Sequence, residues 1–144
     1  MAILATELNW NQSIIDDFHA HGGQITEGRL AGSNTLLMTS VGAKSGLPRT
    51  TPLGYSRDRA AYIVAGSNSG KDVAPKWLAN VAADPIVTVE VGTETFKARA
   101  TQQTGAERDR LWAIHTTAIP RFVQYEGMTE RTIPVVTIER LPAD

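Results

Sequence analysis

The run from Val87 to Ala100 alternates apolar and polar residues on either side of Gly92-Thr93, a pattern that commits this part of the chain to an antiparallel β-hairpin. Val87, Val89 and Val91 alternate with Thr88 and Glu90, while Phe96, Ala98 and Ala100 alternate with Lys97 and Arg99. Placing Gly92 and Thr93 at the turn sets Val89 opposite Phe96 and Val87 opposite Ala98, so the two strands share one apolar face. Such a face must be covered, and the rest of the chain supplies partners. Asn34 to Val41, Thr50 to Ser56 and Ala61 to Ala65 are short runs rich in Thr, Val, Ile and Tyr between Gly, Pro or charged turns, and a last strand is expected over Ile133 to Glu139.

Helical spacing marks three further segments. Trp10, Ile14, Phe18 and His21 recur at intervals of four, four and three, which predicts an amphipathic first helix over about residues 8–22. Its stripe reads as core-facing, although an aromatic face near a chain end could also rest on a membrane surface. Asp72 is placed to cap a helix bearing Trp77, Leu78 and Val81, and Thr104 with Glu107 has the capping-box spacing ahead of Leu111, Trp112 and Ile114. About six strands with interspersed helices, without strict βαβ alternation, predict an α+β chain with a mainly β, barrel-like core. No repeat, low-complexity tract or linker divides residues 1–144, which read as one domain.

A chain of 144 residues can bury about two-thirds of its unfolded surface without staples. It has no cysteine, which excludes structural disulfides, thiolate metal sites and cysteine nucleophiles. Fourteen basic and fifteen acidic residues leave a net charge of −1, unlike the positive field of a duplex nucleic-acid binder, so any anion must be held by a local patch. The segment Met1 to Glu7 lacks a basic region and a long apolar run, and no window approaches the roughly 20 apolar residues of a membrane span. These features lead us to expect a soluble cytoplasmic protein.

A local patch is present in Val41-Gly42-Ala43-Lys44-Ser45-Gly46-Leu47-Pro48-Arg49-Thr50-Thr51-Pro52-Leu53, where two glycines, a lysine and an arginine fall in a turn between strand-like runs. Glycines let backbone N–H groups approach an anion, Lys44 and Arg49 supply charge, and a guanidinium can bind two oxygens at once. The plain alternative is a basic hairpin loop. A second segment, Gly66-Ser67-Asn68-Ser69-Gly70-Lys71-Asp72, has three residues between its glycines and Asp after the lysine, so it is not a Walker A loop. It reads as a glycine-rich loop leading to a helix start, with Lys71 beside it.

The other candidates are thinner. His19 and His21 form a His-x-His pair and His115 lies far away, which reads as surface or helix-face histidines rather than a metal site. Ser40, Ser45, Ser67 and Ser69 lack the glycine pattern of a nucleophile elbow. Trp77, Trp112, Phe122 and Tyr125 could wall a pocket for a flat ligand, with core packing expected for at least half of them. Glu126, Glu130 and Arg131 read as a solvated, ion-paired turn.

Taken in order, the segment Leu36 to Leu53, then Ala65-Gly66-Ser67, Pro75-Lys76-Trp77-Leu78-Ala79-Asn80, Asp84-Pro85 and Arg131-Thr132-Ile133-Pro134 resemble the deazaflavin-dependent nitroreductase family from about residue 30 to the end. The resemblance implies a split β-barrel of the flavin-reductase, FMN-binding type that binds coenzyme F420, a deazaflavin, and reduces quinones or other activated unsaturated molecules. It implies that Gly42, Lys44, Ser45 and Arg49 hold the phosphate and acidic tail, and that Thr51, Pro52 and Leu53 run along the ring. Ala65, Gly66 and Ser67 would lie near the reactive edge, and Lys71, Lys76, Trp77 and Asn80 around the cofactor channel. Hydride would pass from the reduced ring to an electron-poor carbon, with Ser67 or Tyr125 as hydrogen-bond donors.

One departure stands out. Nitroreductases of this family carry several tyrosines before the Thr-x-Arg-x-Ile-Pro element, whereas this chain has Ile119, Phe122 and Tyr125 there. A wall with one phenol suits quinones, coumarin-like lactones or flat enones better than nitroimidazoles. The competing readings are a flavin mononucleotide oxidoreductase, a non-catalytic deazaflavin carrier, and a peripheral membrane protein resting on its first helix.

Overall fold

The computed structural model describes residues 5–28 and 30–142, with 5–10 described by their backbone only. Seven strands, β1 (Thr35–Val41), β2 (Pro48–Gly54), β3 (Ser56–Asp58), β4 (Ala61–Ala65), β5 (Ile86–Val91), β6 (Glu94–Gln103) and β7 (Val135–Arg140), form one antiparallel sheet in the order β2-β1-β5-β6-β7-β4-β3. β2 and β3 stand at opposite ends of that order, yet only Tyr55 separates them in the chain. A flat sheet cannot satisfy both facts, so the sheet curls until its two edges meet at one corner. Tyr55 is held at that corner by its N–H, which donates to the Asn34 carbonyl at 3.0 Å.

The curl has an inside and an outside. Leu36 and Met38 of β1, Val87 and Val89 of β5, Phe96, Ala98 and Ala100 of β6, and Val136 and Ile138 of β7 point inward, where helix α2 (Lys76–Ala83) adds Trp77 and Val81. Outward-facing Leu37 of β1 packs with Ile14 and Phe18 of α1 (Ala5–Ala20) and with Ile25 and Leu30. Burial of Phe18, only 1% exposed, contributes about 2–3 kcal/mol to that contact. On the other outer face Ile63 and Val135 pack against Leu111 and Trp112 of α3 (Gly105–Ala118) and Phe122 of α4 (Arg121–Gly127).

The β5–β6 hairpin has the expected register, with Val89 opposite Phe96 and Val87 opposite Ala98. The edge strand β2 carries prolines opposite Val41 and Leu37. A proline cannot donate to a ladder, so both sit where the missing N–H would face away from β1.

Several local expectations are corrected. The first helix spans Ala5–Ala20 instead of 8–22, and His21 lies beyond it, exposed, with Nδ1 2.8 Å from Asp17 Oδ1. Trp10, the first residue of the expected stripe, has a side chain outside the described residues, but Ile14 and Phe18 face the core as anticipated. The Thr50 to Ser56 run is two strands' worth of chain, split at Tyr55. Asp72 does not cap α2, which starts at Lys76 behind Pro75; it accepts instead from Thr129 Oγ1 at 2.8 Å. Thr104 occupies the N-cap of α3 without a side-chain hydrogen bond, and Glu107 pairs with Arg110 rather than closing a capping box. Helix α4 has no counterpart in the sequence reading.

Candidate active site

The turn between β1 and β2 is tied up internally. Gly42 N–H donates to Leu47 O at 2.8 Å, Gly46 N–H to Gly42 O at 2.9 Å, and Leu47 N–H to Ser45 Oγ at 3.1 Å. Gly46 sits at φ 72°, a conformation that favours glycine. Ala43 N–H is taken by Asn80 Oδ1 at 2.9 Å, and the Asn80 amide also reaches Ser40 Oγ at 3.5 Å. Asn80, only 8% exposed, therefore acts through the turn, fixing its position relative to α2. Four loop N–H groups are thus engaged, whereas those of Lys44 and Ser45 have no hydrogen-bond partner among the described residues. Lys44 and Arg49 are both exposed, and no carboxylate among the described residues pairs with either.

The second glycine-rich segment leaves β4 as Ala65-Gly66-Ser67, all buried, and enters a 3-10 turn at Asn68–Gly70. Gly66 lies against α2, where a Cβ would come 2.4 Å from Leu78 Cδ1, so side chains on one short helix touch both loops. Asn68, Ser69 and Gly70 all have positive φ, and the first two cost on the order of 1 kcal/mol each. What holds this backbone is Arg131. Its Nη2 donates to Gly66 O at 3.1 Å and Ser67 O at 3.0 Å, and its Nε to Lys71 O at 3.1 Å. The expected ion-paired turn is thus corrected: Arg131 serves backbone carbonyls, not Glu126 or Glu130.

The same loop abuts α4. A Cβ at Gly70 would lie 3.2 Å from Tyr125 Cα, and the half-buried Tyr125 ring meets Phe122 edge-on at 5.3 Å. The structure so brings the Ser67 loop and Tyr125 together, and neither hydroxyl has a hydrogen-bond partner among the described residues. Trp77 is 5% exposed and spent on the barrel interior, while Lys71 and Lys76 are exposed beside the loop and at the start of α2. Thr51, Pro52 and Leu53 lie on β2, with Leu53 resting on the interior cluster.

Sequence reasoning missed the far end of β2. A groove of about 490 Å³ is lined there by Gly32–Asn34, Tyr55–Arg57 and Ala118–Arg121. Burial, and then the nearby Tyr62, push the Tyr55 phenol above its ordinary range while Arg57 pulls the other way, so the ring presents a protonated hydroxyl. Behind the groove His115, on a helix face as one of the two expected placements had it, is fully buried in α3, with Nδ1 2.7 Å from Ser56 Oγ and Nε2 without a partner among the described residues. Burial, helped by the Arg121 charge, lowers its pKa to about 4, so it is neutral. The helical spacing Leu111 to His115 was the available signal for its burial. The other histidines pair with Glu90 and Asp17, and among the described residues no three metal-binding side chains gather.

An antiparallel sheet rolled until its edges meet, with helices outside and a cationic turn at one rim, is the architecture of the split barrels that carry flavin-type cofactors. A FAD-binding protein of Mesorhizobium loti has this fold, with a TM-score of 0.57 at 15% identity over 78% of this chain and 83% of its own. Closer relatives narrow the class. The model of the F420H(2)-dependent quinone reductase family matches residues 12–140, and the chain belongs to that family. An F420H(2)-dependent quinone reductase of Mycobacterium tuberculosis is 38% identical over 109 residues, 74% of this chain and 73% of its own. A solved F420-H2 dependent reductase (FDR-A) is 34% identical with a TM-score of 0.68, covering 74% of this chain and 94% of that one. The cofactor named throughout these closer relatives is reduced F420, and the flavin mononucleotide alternative finds no support.

Proposed function

We propose that this protein uses reduced F420 to reduce quinones and, by the same chemistry, other flat activated acceptors such as enones or coumarin-like lactones, in the cytoplasm. The residues fit the cofactor. Lys44 and Arg49 are exposed cations without an acidic partner among the described residues, which suits a phosphate with an acidic tail. β2 then offers about 20 Å of edge strand leading away from them. When bound, reduced F420 supplies a hydride and a proton, converting a quinone to its hydroquinone as the cofactor returns to its oxidised form.

The protein's own contribution is position and polarity. The Asn80 bond to Ala43 sets where Lys44 stands, and Thr51, Pro52 and Leu53 provide the surface along which a ring would lie. Arg131 sets where Ser67 stands. The Ser67 and Tyr125 hydroxyls, without partners among the described residues, supply hydrogen bonds to an acceptor oxygen as negative charge develops on it. That pair of hydroxyls, on a loop and a helix packed together, is the observation that carries the reading. The first helix takes no part in membrane contact through Ile14 and Phe18, which are buried; among the described residues no helix is long and apolar enough to cross a membrane.

The test is a fluorescence titration with F420, followed by addition of menadione to the reduced complex. Micromolar binding with menadione-dependent oxidation is expected, and Tyr125→Phe should lower kcat several-fold while changing cofactor affinity less than twofold. Binding without oxidation of any acceptor would make the protein a carrier. A Tyr125→Phe variant with unchanged kcat would remove the phenol from the reaction.

A further inference from the structure

The groove at the Tyr55 corner has a charge pattern that the family chemistry does not require. Its lining includes two arginines, Arg57 and Arg121, and among the described residues no acidic one. Four other arginines are engaged: Arg110 binds Asp58 and Glu107 at 2.8 Å each, Arg140 binds Glu94 at 3.1 Å, and Arg108 and Arg131 bind backbone carbonyls. Arg121 has no hydrogen bond or ion pair among the described residues and lies 5.1 Å over the Phe122 ring. Arg57 lies 4.1 Å over Tyr62 and makes one long contact, 3.4 Å, to Arg59 O. Each guanidinium is thus braced by an aromatic face while its N–H donors remain available, the arrangement in which arginine binds a carboxylate or sulfonate. Ala118, Ile119, Pro120 and the Tyr55 ring add apolar surface, and Ser33, Asn34 and Ser56 add polar groups.

The groove also adjoins the strand expected to carry the cofactor ring. Gly54 follows Leu53 at the end of β2, and a Cβ there would stand 2.6 Å from Arg121 Nη2 and 3.8 Å from Ile119 Cδ1. We propose that this corner groove is the acceptor subsite, and that it selects flat acceptors bearing an anionic substituent, with Arg121 and Arg57 as the groups that recognise the anion. This rests on the reading above, in which the reduced ring lies along Thr51 to Leu53. A planar body would lie against the Tyr55 and Ile119 surfaces, and its anion would meet two cations that no carboxylate among the described residues neutralises.

The probes are a matched pair, menadione and 1,4-naphthoquinone-2-sulfonate. The sulfonate is titrated first against the cofactor-free protein by calorimetry, with amide chemical shifts locating it; both quinones are then assayed with reduced F420. We expect shifts centred on Ser33, Tyr55, Arg57 and Ile119, and a sulfonate Kd at least tenfold higher in both Arg121→Gln and Arg57→Gln. The KM of menadione should rise far less. Arg57 is exposed, so its variant folds even where Arg121→Gln does not. Equal effects on the two quinones, or shifts centred elsewhere, would overturn the groove assignment while leaving F420-dependent reduction intact. Arginine-dependent sulfonate binding without any F420-dependent reduction would instead overturn the cofactor reading, and the acceptor role with it.

Discussion

Replacing Lys44 and Arg49 together by alanine should weaken F420 binding about 50-fold at low salt, corresponding to loss of two charge-assisted contacts worth roughly 1–1.5 kcal/mol each. The figure is held below that of buried ion pairs because both side chains are exposed, where water screens them. The same exposure gives the prediction a second readout: wild-type affinity should fall as ionic strength rises from 20 to 200 mM, whereas that of the double variant should barely move. The turn itself should survive, since its internal hydrogen bonds come from Gly42, Gly46, Leu47 and Asn80. A double variant that binds F420 as the wild type does would remove the anion from this end of β2.

His115 should make the fold acid-sensitive. An unfolded histidine takes a proton near pH 6.5, whereas this one, fully buried, takes it only near pH 4. Between those values the unfolded chain binds more protons than the folded one, so stability falls as pH falls, and above 6.5 the effect vanishes. At about 1.4 kcal/mol per pH unit, the loss by pH 4 is about 3 kcal/mol, a large share of what holds a small domain together. Urea unfolding at pH 7 and 4.5 should show this loss in the wild type and much less of it in His115→Gln, which can still accept from Ser56. The same loss in both proteins would assign the acid sensitivity to other groups.

How far the sequence carried depended on whether each feature had a local cause. The β5–β6 hairpin was legible to the residue because alternation and a two-residue turn specify register without outside help. The break at Tyr55 was not, because Thr50 to Ser56 is β-forming throughout and the transfer from one sheet edge to the other leaves no compositional mark. The caps show the limit of spacing rules: Thr104 stands at the N-cap of α3 but Glu107 pairs with Arg110 instead, and Asp72 lies short of α2, whose N-cap is Pro75, and accepts from Thr129. Lys44 and Arg49 could be proposed from the sequence because unpaired charge beside glycines is visible there. Arg131 was misread because its partners are carbonyls, which every residue has and no sequence pattern reveals. The groove was invisible for a related reason, since Asn34, Tyr55 and Ile119 meet only after the sheet has closed.

The two prolines of β2 have a consequence for self-association. An edge strand is ordinarily a template on which another chain can add a strand, the first step toward fibrils or domain exchange. Along the seven residues of β2, Pro48 and Pro52 delete outward N–H donors at alternate outward positions, so an incoming strand would find its own carbonyls unanswered. The rim that a flat cofactor is proposed to use is therefore kept clear of the one competitor, another copy's backbone, that would otherwise match it best.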